Sequence, residues 1–282
     1  MFTIYIKQLQ KNWLPWSLIS VVMAAFSLLM VLIWPSFEPY VEMLQEMLEL
    51  PIYQAILGES MTLTSIEGLL SMELFIMADI FFMGLILLFG VQCIPREVDS
   101  GSLDFILSFP VPRWRFLLEK LAAFITVTFS FPILTTVGAI VGVILIPEAE
   151  FQTNGLEAFF LGLFSRWILY ITLTCLVILL SIILMDTGKT LGFGGLLLGG
   201  SFLIDTFGGI LATADPEMAE MIQGMSFYYY LDGPGIMGKV LAEGVSGFPL
   251  GELLFILAIG VVAILASLVL FDNPIRQKRE FK

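Results

Sequence analysis

The sequence has no histidine, few cysteines and little charge. The absence of histidine excludes imidazole bases and relays and the His-ligated zinc and haem sites. The two cysteines, Cys93 and Cys175, lie in or at the ends of apolar runs, so neither a disulfide framework nor a thiolate metal cluster is expected. Charged residues make up 13% of the chain, against about 25% in soluble domains. This composition argues against a water-soluble globule.

Apolar residues take the place of charge, at 58% of the 282 residues, and they fall into six long runs. Each run reaches the roughly 20 residues that a helix needs to cross a bilayer. The expected fold is an all-α membrane protein in which residues 1–282 form a single transmembrane domain. Its spans are predicted at residues 13–34, 72–94, 116–146, 159–184, 191–211 and 250–271, with a kink at Pro132 in the third.

Basic residues predict the orientation. If the amino terminus is cytoplasmic, the inner segments hold eleven of the thirteen basic residues. Such a skew follows the positive-inside rule and predicts that both termini are cytoplasmic. The expected location is the cell membrane, of a prokaryote, with several passes of the chain. The net charge of −12 then comes mainly from acidic outer loops. These loops are either simply solvated or attract cations and cationic peptides; no nucleic-acid partner is expected.

Three segments outside the predicted spans carry amphipathic or aromatic patterns. Residues 2–11 alternate apolar residues with lysine and predict an interfacial helix before the first span. Residues 38–50 predict an amphipathic helix on the outer surface. In the loop 212–249, the aromatic run 227–230 predicts an anchor at headgroup level, and the glycines that follow predict a short re-entrant segment.

Three ionisable residues lie inside predicted spans at similar depths: Asp79, Arg166 and Asp205. A charge at the centre of a membrane helix costs about 2.5–3.5 kcal/mol on insertion scales, so each should face protein, water or a partner. One hypothesis pairs Arg166 with Asp205 or Asp79, bracing an outer gate or lining a path. In the alternative, Arg166 extends to the interface and Asp205 sits at a frayed span end.

The linker between the second and third spans, residues 95–120, is longer than a hairpin needs. Residues 99–102 offer turn and N-cap chemistry, and Pro110 ends any helix that follows. Leu103, Ile106 and Leu107 share one face. The pattern predicts a helix of about two turns on the cytoplasmic surface, which either rests in the headgroups or docks in a groove of a partner protein.

This linker resembles the corresponding cytoplasmic segment of ABC-2 type permeases, the membrane subunits of ATP-binding cassette transporters. The matching positions are Glu97, Gly101, Ser102, Leu103, Asp104, Leu107, Ser108 and Pro110, followed by Arg113, Arg115 and Lys120. The close match covers some 25 residues of the chain. The six-span plan matches the rest loosely.

The resemblance implies an exporter subunit that is not itself an enzyme. Its coupling helix would seat in a separate ATPase subunit through Glu97, Gly101, Ser102, Leu103, Asp104, Phe105, Ile106 and Leu107. ATP and Mg²⁺ would bind to that partner, and this chain would hold no cofactor or metal. A second permease subunit, identical or similar, would complete the path. Gly188, Lys189 and Thr190 match the end of the phosphate-loop motif G-x-x-x-x-G-K-[ST]. The motif also requires a glycine at position 183, where this chain has Ile183, so no phosphate loop is expected.

Two other functions stay open. An ion-coupled secondary transporter is weakened because the two three-span halves show no evident repeat. An intramembrane enzyme is weakened by the missing histidine and by the lack of an obvious pair of catalytic acids. The pairs Gly138 with Gly142 and Gly195 with Gly199 predict close helix crossings, inside the subunit or at a dimer seam. The substrate is not readable from the sequence.

Overall fold

The computed structural model describes residues 3–40, 65–101, 112–146, 149–212 and 215–272, and these form helices without strands. The α-helices are α1 (Thr3–Phe37), α2 (Ile66–Cys93), α3 (Pro95–Asp99), α4 (Arg113–Thr128), α5 (Ser130–Leu145), α6 (Gly155–Leu184), α7 (Thr187–Leu211), α8 (Pro216–Gln223), α9 (Phe227–Tyr230), α10 (Gly233–Glu243) and α11 (Leu250–Asp272). Short 3₁₀ turns follow α1 and α10. Residues 41–50, most of the predicted outer helix, lie outside the described residues, and so do residues 102–111, which include the predicted coupling helix.

Six helical segments are long and apolar enough to cross a membrane: α1, α2, α4 with α5, α6, α7 and α11. They coincide with the six spans predicted from the sequence, and their length and composition are those of a multi-pass membrane protein. The last four agree with the predicted bounds within about four residues. Both α1 and α2 begin earlier than predicted.

The first helix differs most from the prediction. No break separates residues 3–11 from the first span, because α1 continues from Thr3 to Phe37. At about 1.5 Å per residue, α1 is about 52 Å long, well beyond the hydrocarbon core of about 30 Å. The prediction of an interfacial helix separate from the first span is therefore wrong. That the start of α1 lies at the membrane interface stays a prediction.

The third span has a one-residue interruption close to the predicted kink. Phe129 interrupts the span between α4 and α5, three residues before Pro132. Proline has no amide hydrogen to donate and its ring crowds the carbonyl four residues back, here that of Thr128. The break falls next to that carbonyl.

The fourth span, α6, lies at the centre of the bundle. It packs against α2, α5, α7, α10 and α11. At mid-height, Tyr170 of α6 stacks on Phe82 of α2 with ring centroids 4.2 Å apart, and Phe131 of α5 meets the edge of Phe82 at 4.9 Å. These rings fix α6 against its neighbours and so position the polar residues that α6 carries.

The two predicted glycine pairs behave differently. A Cβ on Gly138 would collide with the backbone carbonyl of Ala24, and one on Gly142 would lie 2.7 Å from Val31 Cβ. This pair lets α5 cross closely over α1. Gly199 on α7 has no described neighbour within 4 Å of the added atom. The second pair thus makes no close crossing within the described part of this chain.

The segment after α7 folds back onto the bundle. Its helices α8, α9 and α10 return the chain to α6 and α2, where a Cβ on Gly233 would collide with the Phe75 ring. Tyr228 is 1% exposed and its ring lies against Phe202. The predicted headgroup anchor is therefore wrong for Tyr228, because protein encloses its ring.

Candidate functional site

A buried ion pair joins the second and fourth spans. Arg166 Nη2 lies 3.1 Å from Asp79 Oδ2, and the two residues are 5% and 2% exposed. Of the two predicted partners, Asp79 makes the pair. The alternative in which Arg166 extends to the interface is wrong, because the side chain is enclosed by protein. In an apolar interior, each charge offsets the desolvation of the other.

Further contacts hold both charges in place. The Tyr170 hydroxyl donates to Asp79 Oδ1 at 2.7 Å. Arg166 Nη1 donates to the carbonyls of Tyr228 at 3.3 Å and Leu231 at 3.0 Å, and its guanidinium lies 5.2 Å from the Tyr228 ring centroid. We call Asp79, Arg166, Tyr170 and Tyr228 the Arg166 centre. It binds α2, α6 and the end of α9 into one unit.

The Arg166 centre could have been found more fully from the sequence. Tyr170 follows Arg166 by four residues, so the two share a helix face. A hydroxyl on the same face as a buried charge is a natural hydrogen-bond partner. The carbonyls of Tyr228 and Leu231 could not be predicted as acceptors from the sequence, because every residue type has a backbone carbonyl and any residue at the end of α9 would supply one.

A cavity of about 750 Å³ opens beside the Arg166 centre. Its walls come from the first half of α2, the second half of α7, the segment 223–239 and the start of α11. Asp79 and Arg166 line it together with Asp205, Asp232 and Lys239. The cavity thus brings the three ionisable residues predicted from the sequence to one site.

Asp205 has a different role in this site from Asp79. It lies within α7, six residues before the final residue Leu211, so it is not at a frayed end. It lines the cavity but makes no hydrogen bond or salt bridge to the described residues. Asp232, by contrast, accepts from the Gly235 amide at 2.9 Å and caps α10. Burial raises the pKa of Asp232, and the Arg166 charge opposes that rise.

A second polar cluster lies at the other end of the bundle, in the first two turns of α4. Lys120 Nζ donates to the carbonyls of Gln92 at 3.0 Å and Cys93 at 2.8 Å, where α2 ends, and to Glu97 Oε1 at 2.6 Å. Lysine satisfies the unpaired carbonyls at a helix carboxyl end and complements the helix dipole. The end of α2 is thereby fixed to α4.

The same turns of α4 hold the ends of two other spans. Glu119 accepts from the backbone amides of Ile4 and Tyr5, each at 3.1 Å, and its other oxygen accepts from Arg115 Nε at 2.6 Å. Arg113 donates to the carbonyl of Phe271 at 3.3 Å. We call Arg113, Arg115, Glu119 and Lys120 the α4 clamp. It holds the start of α1, the end of α2 and the end of α11 at one end of the bundle.

The structure describes only the beginning of the predicted coupling segment. Glu97 lies on α3 and contacts Lys120, and Gly101 follows α3 with φ of +67°, a backbone angle that suits glycine. Ser102, Leu103, Asp104, Phe105, Ile106 and Leu107 lie outside the described residues. Their role in docking stays a prediction.

Comparison with protein-family models finds no match, and neither the curated proteins nor the solved structures give one. The site is therefore interpreted from its own geometry. At one end of the bundle it offers a polar cavity beside a buried ion pair. At the other, a clamp joins three spans directly after residues 102–111.

Proposed function

We propose that this chain is the membrane-spanning permease subunit of an ABC-2 type exporter, driven by ATP that a separate ATPase subunit hydrolyses. The helix predicted over residues 103–108 would be the coupling helix, which docks in a groove of that ATPase. ATP and Mg²⁺ would bind to the partner, and this chain would supply the path.

The observation that carries this proposal is the α4 clamp. The segment that resembles a coupling helix leads directly into α4, whose first two turns bind the ends of three other spans. A displacement of residues 102–111 would therefore act on α1, α2 and α11 together. A coupling element requires this kind of attachment, whereas a helix resting in headgroups does not.

The arrangement of the ends supports a cytoplasmic position for the clamp. Thr3 begins α1 and Asp272 ends α11 at the clamp end of the bundle. Most of the basic residues belong to the segments at this end. By the positive-inside rule, this end faces the cytoplasm and the cavity opens on the outer side.

The outward face of α7 supports a second permease subunit. At Gly192, Gly199 and Gly200, no atom of the described residues lies within 4 Å of an added Cβ. Small residues at such a face let another membrane helix approach closely. We place the second subunit, identical or similar, against this face.

Copurification tests the coupling. The tagged full chain is purified from its own cells in mild detergent, and copurifying proteins are identified by mass spectrometry. We expect an ATPase with a glycine-rich phosphate loop, and we expect Leu103→Asp with Leu107→Asp to remove it, because two carboxylates cannot enter an apolar groove without large desolvation costs.

The matched control carries two apolar-to-Asp changes at the far end of the bundle. Met225 and Val245 are 70% and 61% exposed, so Met225→Asp with Val245→Asp should leave the ATPase bound. Absence of any ATPase from the wild-type preparation would overturn the proposal. Equal ATPase recovery from both double variants would overturn the coupling role of residues 102–111.

A further inference from the structure

The cavity beside the Arg166 centre has an excess of negative charge. Four carboxylates line it, Asp79, Asp205, Asp232 and Glu252, against two cations, Arg166 and Lys239. The formal charge of the wall is therefore −2, as four negative charges meet two positive ones. Such an imbalance in a low-dielectric cleft favours a positively charged ligand.

The carboxylates differ in their freedom to bind a ligand. The ion pair with Arg166 engages Asp79, and the Gly235 amide engages Asp232. Asp205 has neither kind of contact among the described residues, although it sits in an apolar helix. An acidic residue in that position needs a partner or water. The cavity in front of Asp205 is where such a partner would lie.

The size and aromatic content of the cavity indicate the kind of cation. About 750 Å³ is far more than a metal ion occupies and falls in the range of sites for drug-sized molecules. Phe75, Phe202, Tyr229 and Tyr230 line it. Aromatic faces attract organic cations and pack against their apolar bodies. Among the described residues, no group of three or more acidic or thiol side chains is placed to hold a metal ion.

We propose that this cavity binds an organic cation with an apolar body, whose positive group lies against Asp205. As the substrate class of the permease, the inference rests on the proposed function. Binding itself requires only this chain and can be measured without an ATPase.

The test uses the purified full chain in detergent and radiolabelled tetraphenylphosphonium, with empty micelles as background. We expect saturable binding to the wild type. Asp205→Asn should weaken it by about tenfold, because a charge contact in a partly desolvated site is lost. Asp205→Glu should retain it, because the charge stays in the cavity.

Two controls separate this site from general adsorption. Glu243 belongs to the same outer segment and is exposed but does not line the cavity, so Glu243→Gln should bind like the wild type. Tetraphenylborate has the same shape and the opposite charge, and it should show no saturable binding. Thermal unfolding of Asp205→Asn in the same detergent verifies that the variant is folded.

Absence of saturable tetraphenylphosphonium binding would overturn the inference. So would equal affinity in Asp205→Asn and the wild type, or saturable binding of tetraphenylborate. These outcomes are distinct from a failure of the proposed function, because ATPase copurification is measured separately. A chain that binds its ATPase but not the cation loses only the substrate class.

Discussion

Replacing Arg166 with methionine tests the energetic role of the buried ion pair. The change leaves the Asp79 carboxylate, 2% exposed, with the Tyr170 hydroxyl as its remaining donor among the described residues. It also leaves the carbonyls of Tyr228 and Leu231 without their donor from Arg166. Breaking a buried ion pair in this way costs about 3–5 kcal/mol. For soluble proteins of similar size, a loss of this magnitude lowers the melting temperature by about 10 °C.

The two cysteines provide the assay. Cys93 and Cys175 are 0% and 4% exposed, so a fluorogenic maleimide reacts with them slowly in the folded protein and rapidly once the protein unfolds. Heating the detergent-solubilised chain with this reagent at a fixed rate gives the melting temperature of each variant. Neither cysteine is one of the residues of the Arg166 centre, so all variants keep both reporters.

The pair is tested further by removing both charges. Asp79→Leu with Arg166→Met leaves no stranded charge, so it should recover at least half of the loss seen in Arg166→Met. Exchanging the two residues should not restore stability, because a carboxylate at position 166 cannot donate to the carbonyls of Tyr228 and Leu231. Asp205→Asn is the matched control and should change stability by about 0.5 kcal/mol or less. An Arg166→Met melting temperature as high as that of Asp205→Asn would refute the argument.

Two other changes follow from the packing and the clamp. Gly138→Ala should lower the free energy of unfolding by about 1–3 kcal/mol, because the added methyl group meets the Ala24 carbonyl. Gly199→Ala, the control, should be neutral or slightly stabilising. Equal melting temperatures of the two variants would contradict this. Lys120→Met should increase the rate at which the maleimide reacts with Cys93 in the folded protein, because the end of α2 loses its attachment to α4. An unchanged rate would contradict the role of Lys120 in the α4 clamp.

Much of the fold was predictable because a bilayer imposes a simple length requirement. Runs of about 20 apolar residues stand out against short polar loops, and the structure places helices at all six. Pro132 identified the break in the third span by its missing donor. The need of Arg166 for a partner also followed from the cost of a charge in an apolar helix.

The partners of these residues were harder to predict because the spans are apolar on every side. Such a helix gives no periodic signal for its rotation, so the sequence alone left Asp79 and Asp205 equal as partners of Arg166. The inward position of Tyr228 depends on how α9 folds back, and its aromatic neighbours in the sequence suggested an interface instead. Lys120 was identified through the family resemblance, but its carbonyl acceptors become visible only when the end of α2 meets α4.

One helix connects the two polar clusters. The α4 clamp holds the Cys93 end of α2, and Asp79 sits on the same helix about 21 Å away. No break interrupts α2 between these points, so it can transmit a displacement from one cluster to the other. Under the proposed function, movement of residues 102–111 reaches the cavity through α4 and then α2. Detaching Lys120 should therefore uncouple transport from ATP hydrolysis while the Arg166 centre, and with it cation binding, stays intact.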